Sequence, residues 1–153
     1  MLAYRSPNTR MSLADGLAEY YEKHPFLKRG DQLGAEAQEF FRCHDAVHVL
    51  YGCDTSLSQE AIVKLSSIFG TTAGFAVLKG YSLHDSIDIY KKLRLSDILV
   101  TMFRSLVIVP RTLWRCSKQR QRWPWSEFDG HLETPLCELR ERFRIRIVSV
   151  PEV

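Results

Sequence analysis

His44-Asp45-Ala46-Val47-His48, followed after eleven residues by Glu60, is the stretch whose reading decides the fold. On a helix each residue advances about 100°. With Leu33 taken as zero, Ala37, Phe40, His44 and His48 fall at roughly 40°, −20°, 20° and 60°, so both histidines continue an apolar stripe. Asp45 flanks it at about 120°. An unsatisfied buried polar group costs about 1–3 kcal/mol, so two neighbouring imidazoles on a buried face need a proton, a partner or a metal. Two histidines with one or two carboxylates suit a divalent Zn, Fe, Mn or Co ion. A two-His-one-carboxylate site with open positions suits oxygen chemistry. The plain alternative is a pair of core histidines bonded to backbone carbonyls.

Outward from the motif, Lys28-Arg29-Gly30 reads as a turn and Asp31 as the N-cap of the helix that carries His44, Asp45 and His48. Gly52-Cys53-Asp54-Thr55 breaks that helix, and Ser56-x-x-Gln59 reads as a capping box opening the next near Leu57. Glu60 then lies in a first turn, and a helix-loop-helix hairpin brings it beside His48. Apolar residues at 61, 62, 65, 68, 69, 73 and 76 keep helical period to about Lys79. Within that run, Gly70-x-x-x-Gly74 suits close packing of a neighbouring helix or a prenyl chain.

Before the motif, residues 1–10 read as loose. Ser12 opens a helix with Leu13, Leu17, Tyr20 and Tyr21 on its apolar face, ended by His24-Pro25. Beyond it, helical pieces are expected from Ser82 to about Leu93 and from Ser96 to Val109, with Pro110 as the stop. Thr134-Pro135 opens a last helix to about Phe143, and Ile145-Arg146-Ile147 reads as extended. The expectation is an all-α, single-domain bundle of about five to six helices. Residues 11–145 form its core and 146–153 a tail, with a helix-loop-helix metal site and a hydrophobic lipid groove along helices 57–79 and 96–109.

At 153 residues with 45% hydrophobic and 25% charged residues, the chain is long enough for one folded core, which argues against wholesale disorder. Cys43, Cys53, Cys116 and Cys137 form no Cys-x-x-Cys pair, which speaks against a zinc ribbon or redox motif and suits reduced thiols. Residues 61–81 are interrupted by Lys64 and Lys79 and fall short of the roughly 20 apolar residues a membrane span needs. The start carries Arg5 and Arg10 but no hydrophobic signal core, which reads as neither signal nor transit peptide and favours a bacterial, cytoplasmic chain. Residues 111–125 hold Arg111, Arg115, Lys118, Arg120 and Arg122 without an acid, beside Trp114, Trp123 and Trp125. That mixture suits peripheral contact with an anionic membrane surface. Nucleic acid is the rival partner, set aside here, and a solvated loop with buried tryptophans is the bland reading.

The motif resembles the signature of the coenzyme Q biosynthesis protein four family of ubiquinone biosynthesis, His-Asp-x-x-His, eleven residues, Glu. The likeness extends to Asp31 through Arg42, to Leu57 through Tyr81 and to Thr134 through Glu141, in a short form with 43 residues ahead of His44. Where the family commonly ends its last helix in Gly-Ile, this chain reads Phe143-Arg144-Ile145. The resemblance implies a metal set of His44, Asp45, His48 and Glu60. It also implies metal-dependent oxidative decarboxylation and hydroxylation at ring carbon C1 of a polyprenylated benzoate precursor. The partners it implies are that lipid and other ubiquinone-biosynthesis proteins, at the inner face of a bacterial membrane or the matrix side of a mitochondrial one. A homodimer is left open. A non-catalytic prenyl-lipid scaffold is the second reading. The third is a His-Asp phosphohydrolase using His24, His44-Asp45 and Asp97, which ignores His48 and Glu60.

Overall fold

Ser12 has extended backbone and its hydroxyl accepts from the Asp15 N–H at 3.0 Å, so the first helix, α1 (Leu13–Lys23), starts where the sequence places it. The computed structural model describes residues 2–25, 34–83 and 95–147. Among these, α1 is followed by α2 (Ala35–Tyr51), α3 (Leu57–Gly70), α4 (Val77–Leu83), α5 (Leu95–Ser117) and α6 (Leu136–Phe143), with short 3-10 turns at Ala3–Arg5, Gly74–Ala76 and Asp129–His131. The architecture is all-α, as expected.

α2 is the central rod. Ala37 and Phe40 are buried on one stripe, and every residue from 43 to 51 is buried, so neighbours surround its second half. α1 packs on it from one side and α3 from the other. Gly34, with extended backbone, stands at its N-cap; Asp31, expected there, lies outside the described residues. Gly52 ends the helix at φ 68°, a left-handed conformation that favours glycine, and its N–H together with that of Cys53 caps the His48 and Val49 carbonyls.

The capping box at Ser56 does not form. Gln59 instead turns back to Asp54, donating to its carboxylate at 3.0 Å and accepting its N–H at 2.8 Å, while Asp54 also takes the Ser56 N–H. The hairpin closes all the same, because Asp54 ties the Ser56 N–H and the Gln59 side-chain amide to the loop.

The helix expected from Leu57 to Lys79 is cut at Gly70. There the Trp123 N–H donates to the Gly70 carbonyl and the Thr72 N–H to the Trp123 carbonyl, both at 2.9 Å. A remote strand-like contact thus takes the backbone groups that another turn of α3 would have used. Gly70 itself is needed for close packing: a Cβ there would run into the Tyr51 hydroxyl and approach Gln119 Oε1 to 2.8 Å, whereas one at Gly74 would meet nothing.

Pro110 does not stop α5; it sits inside the helix. α3 and α5 make the most extensive contact between described elements, and Thr112 and Cys116 are buried beyond the proline. That packing outweighs the roughly 3 kcal/mol an interior proline costs. Of the helix expected from Ser82 to Leu93, residues 84–93 lie outside the described residues. At the last helix, Pro135 rather than Thr134 is the N-cap, and the Thr134 carbonyl accepts the Leu13 N–H.

Residues 2–10 are not loose. Tyr4 is buried, its hydroxyl donating to the Cys53 carbonyl, and the Glu19 carboxylate accepts the Ala3 and Tyr4 N–H groups. Trp123, expected at a surface, lies fully buried between Phe128 and Phe143, while Trp125 is half-buried against Phe40 and Trp114 is exposed. All four cysteines are free thiols. No helix among the described residues is long and apolar enough to cross a membrane.

Candidate metal centre

Two elements build the site. Successive turns of α2 put His44 and His48 on one face, with ring centroids 4.7 Å apart, and the short link after Gly52 returns the first turn of α3 alongside them. Glu60 then bridges the pair: its Oε1 lies 3.2 Å from His48 Nε2 and its Oε2 3.7 Å from His44 Nε2. One ligand atom from each of His44, His48 and Glu60 lies within 4.8 Å of the others. Three of the four residues singled out in the sequence therefore converge.

Asp45 does not join them. Its Oδ1 stands 3.6 Å from Nδ1 of His44, and its Oδ2 accepts the Tyr21 hydroxyl at 2.9 Å. His24 is not in the group either; its Nδ1 lies 3.4 Å from the Thr55 hydroxyl. The side chain of Asp97 lies outside the described residues.

Burial decides what the cluster can hold. His48 is fully buried and His44 nearly so, while 29% of the Glu60 side chain is exposed, so the carboxylate marks the open side. None of the four ring nitrogens has a hydrogen-bond partner of acceptable geometry, the 3.2 Å approach of Glu60 included. The bland expectation, histidines satisfied by backbone carbonyls, is not met. Buried nitrogen lone pairs without donors, converging with a carboxylate, suit a divalent cation. Burial pushes the His44 imidazole below its usual range, helped by His48 and opposed by Asp45 and Glu60. For Glu60 burial pulls upward, but His48, His44 and Lys64 together hold its carboxyl below the ordinary carboxylate range. A neutral imidazole beside an ionised carboxylate is the protonation state a metal ligand set requires.

Aromatic rings fix the histidines. Phe40 stacks on His44 at 6.0 Å, Tyr81 meets its edge at 5.5 Å, and Tyr20 covers His48 at 5.2 Å. No family model, curated protein or solved structure matches this chain.

Tyr21 is the contributor that sequence reading assigned elsewhere, to the apolar face of α1. Its partner Asp45 is 24 residues on and belongs to another helix, so no spacing rule connects them. A 470 Å³ cleft lies apart from the metal cluster, lined by Phe69 and Leu113 but also by Gln119, Arg120 and Arg122.

Proposed function

We propose that this chain is a metal-dependent protein of ubiquinone biosynthesis, acting at ring carbon C1 of a polyprenylated benzoate to replace the carboxylate, lost as CO₂, by a hydroxyl, with dioxygen as the two-electron oxidant. The observation that carries this reading is the convergence of His44, His48 and Glu60 in a pattern that resembles the family signature. A divalent Zn, Fe, Mn or Co ion held there would supply a Lewis acid and electron sink beside the substrate carboxylate or phenolate. His44 and His48 would hold it through ring nitrogens and Glu60 would supply negative charge. Three protein ligands leave positions for substrate. Phe40, Phe41 and Tyr81 surround His44 with ring faces and edges against which an aromatic substrate can pack.

Exposed Phe75 and Leu78, with Phe69 against Phe75, offer apolar surface to the prenyl tail, where each buried CH₂ contributes about 0.8 kcal/mol. Leu106, Val107 and Trp114 are exposed on α5 beside Arg111, which favours peripheral association with anionic lipid. The fully buried Trp123 takes no part in it.

The test is metal analysis and lipid mass spectrometry of the purified chain, followed by turnover of a prenylated hydroxybenzoate with and without added metal. Stoichiometric metal that His44→Ala loses, together with metal-dependent release of CO₂, is the expected result. Metal and prenyl lipid without turnover would instead make this a scaffold presenting precursors to other enzymes. Metal content unchanged in His44→Ala would remove the site assignment.

A further inference from the structure

Positive charge gathers at the end of α5 and in the loop behind it. Residues 111–126 hold five cations and no Asp or Glu. Arg115 lies in the last turn of the helix, where the dipole favours a cation. Burial, and after it the charges of Arg111 and Arg146, hold its guanidinium below the usual range, so like charges crowd this end. Arg120 and Arg122 stand three and five residues past Ser117, beyond the reach of the helix dipole. Both are exposed, and neither pairs with a carboxylate among the described residues.

The backbone that carries them is pinned. The Arg120 N–H donates to the Phe143 carbonyl at 3.1 Å, and Trp123 is bonded to Gly70 and Thr72 at 2.9 Å. Both arginines line the 470 Å³ cleft, and Phe69 and Leu113 give it an apolar wall. That volume falls in the range of small-molecule sites, roughly 300–1,000 Å³. Phe69 follows Glu60 by nine residues on α3, about 13 Å along the axis, so the cleft is separate from the metal cluster.

We propose that this cleft binds an organic phosphate, with its phosphoryl oxygens on Arg120 and Arg122 and its carbon body against Phe69 and Leu113. Two guanidinium forks suit the three oxygens and the charge of a phosphate monoester, whereas a carboxylate fills a single fork. The apolar wall favours an ester over the bare ion. A pinned loop also has little freedom left to lose on binding. A soluble ester and a phospholipid headgroup present the same group to the arginines. The site shares no residue with the metal cluster and stands independently of it.

The experiment titrates the full chain with phenyl phosphate, inorganic phosphate and benzoate, by calorimetry and by ¹H–¹⁵N spectra. Wild type, Arg120→Gln and Arg122→Gln are compared. Phenyl phosphate should bind at least about tenfold more tightly than either simpler anion. It should shift the amide signals of residues 113–122 and leave those of 44–60 in place. Each arginine variant should weaken it by about tenfold or more, with metal content unchanged. Vesicles of phosphatidylcholine with phosphatidic acid then report the source. Vesicles that displace phenyl phosphate point to a lipid headgroup, and vesicles that leave it bound point to a soluble ester.

Phenyl phosphate that fails to bind, or binds no better than inorganic phosphate, overturns the proposal. Wild-type affinity in both variants, or shifts confined to residues 44–60, overturns it as well. A wild type without metal would end the metal reading and leave this one standing.

Discussion

A neutral imidazole binds a metal ion and an imidazolium does not, so the protonation of His44 governs the centre. Burial lowers the affinity of His44 for a proton relative to the unfolded chain, whose histidines titrate near about 6.5. The unfolded state therefore takes up protons first as pH falls. His44 contributes its full stability above the unfolded value and loses it as pH drops toward its own lower one. Glu60 acts in the same direction at more acid pH: its carboxyl is depressed on folding, so its contribution is present above the ordinary carboxylate range and is lost as pH falls through its own value. Metal-free protein should thus lose stability from pH 7 to pH 5 in urea titrations, and His44→Phe should flatten that slope. A slope unchanged by His44→Phe would show that another group carries it. Three of the ligand candidates were legible at this scale because helical period and a short loop fix where His44, His48 and Glu60 lie. The role of Asp45 was not, since a position at the flank of a stripe leaves open whether its carboxylate turns to the ligand side of His44 or to the back.

Element boundaries were legible where the deciding group is local and misread where it is remote. Ser12 and Gly52 mark real ends because their own hydroxyl and φ do the work. α3 ends nine residues early because its last carbonyl, Gly70 O, is claimed by Trp123, more than fifty positions away. Pro110 fails as a stop because α5 is held by packing against α3. The end of α6 carries a conflict that both levels record. Arg144 adopts φ 56°, the left-handed region, where the resembling family commonly has glycine. A non-glycine residue there costs roughly 1–2 kcal/mol. Arg144 is exposed, so replacing it removes little packing. Arg144→Gly should therefore raise stability by about 1 kcal/mol, read as a higher urea midpoint with unchanged slope. A lower midpoint would mean the side chain makes contacts worth more than the backbone strain.

The parts of the molecule are tied together by one side chain that no sequence pattern marks as special. Arg140 reads as one of several cations on a short helix, yet it is 4% exposed and donates to four main-chain carbonyls: Leu50 at 2.9 Å, Val49 at 3.0 Å, Ser6 at 2.8 Å and Tyr4 at 2.6 Å. Burial lowers its guanidinium to about 10, so it stays cationic at neutral pH. Its donors serve the C-terminal carbonyls of α2, where the helix dipole favours a cation, and hold the N-terminal segment over them. This explains why residues 2–10 are docked although their composition reads as a free tail. It also places the clamp one and two residues beyond His48. Arg140→Met keeps the apolar stem but strips all four carbonyls of this donor, and hydrogen bonds from charged donors contribute about 1.5–3 kcal/mol each before compensation by water. The loss should total at least about 3 kcal/mol, seen as a fall in Tm of about 10 °C for a chain of this length. Because the carbonyls released belong to α2, hydrogen exchange should quicken at residues 49–53 as well as at 3–6. Exchange that changes only in the N-terminal segment would show that the end of α2 holds His48 in place without the clamp.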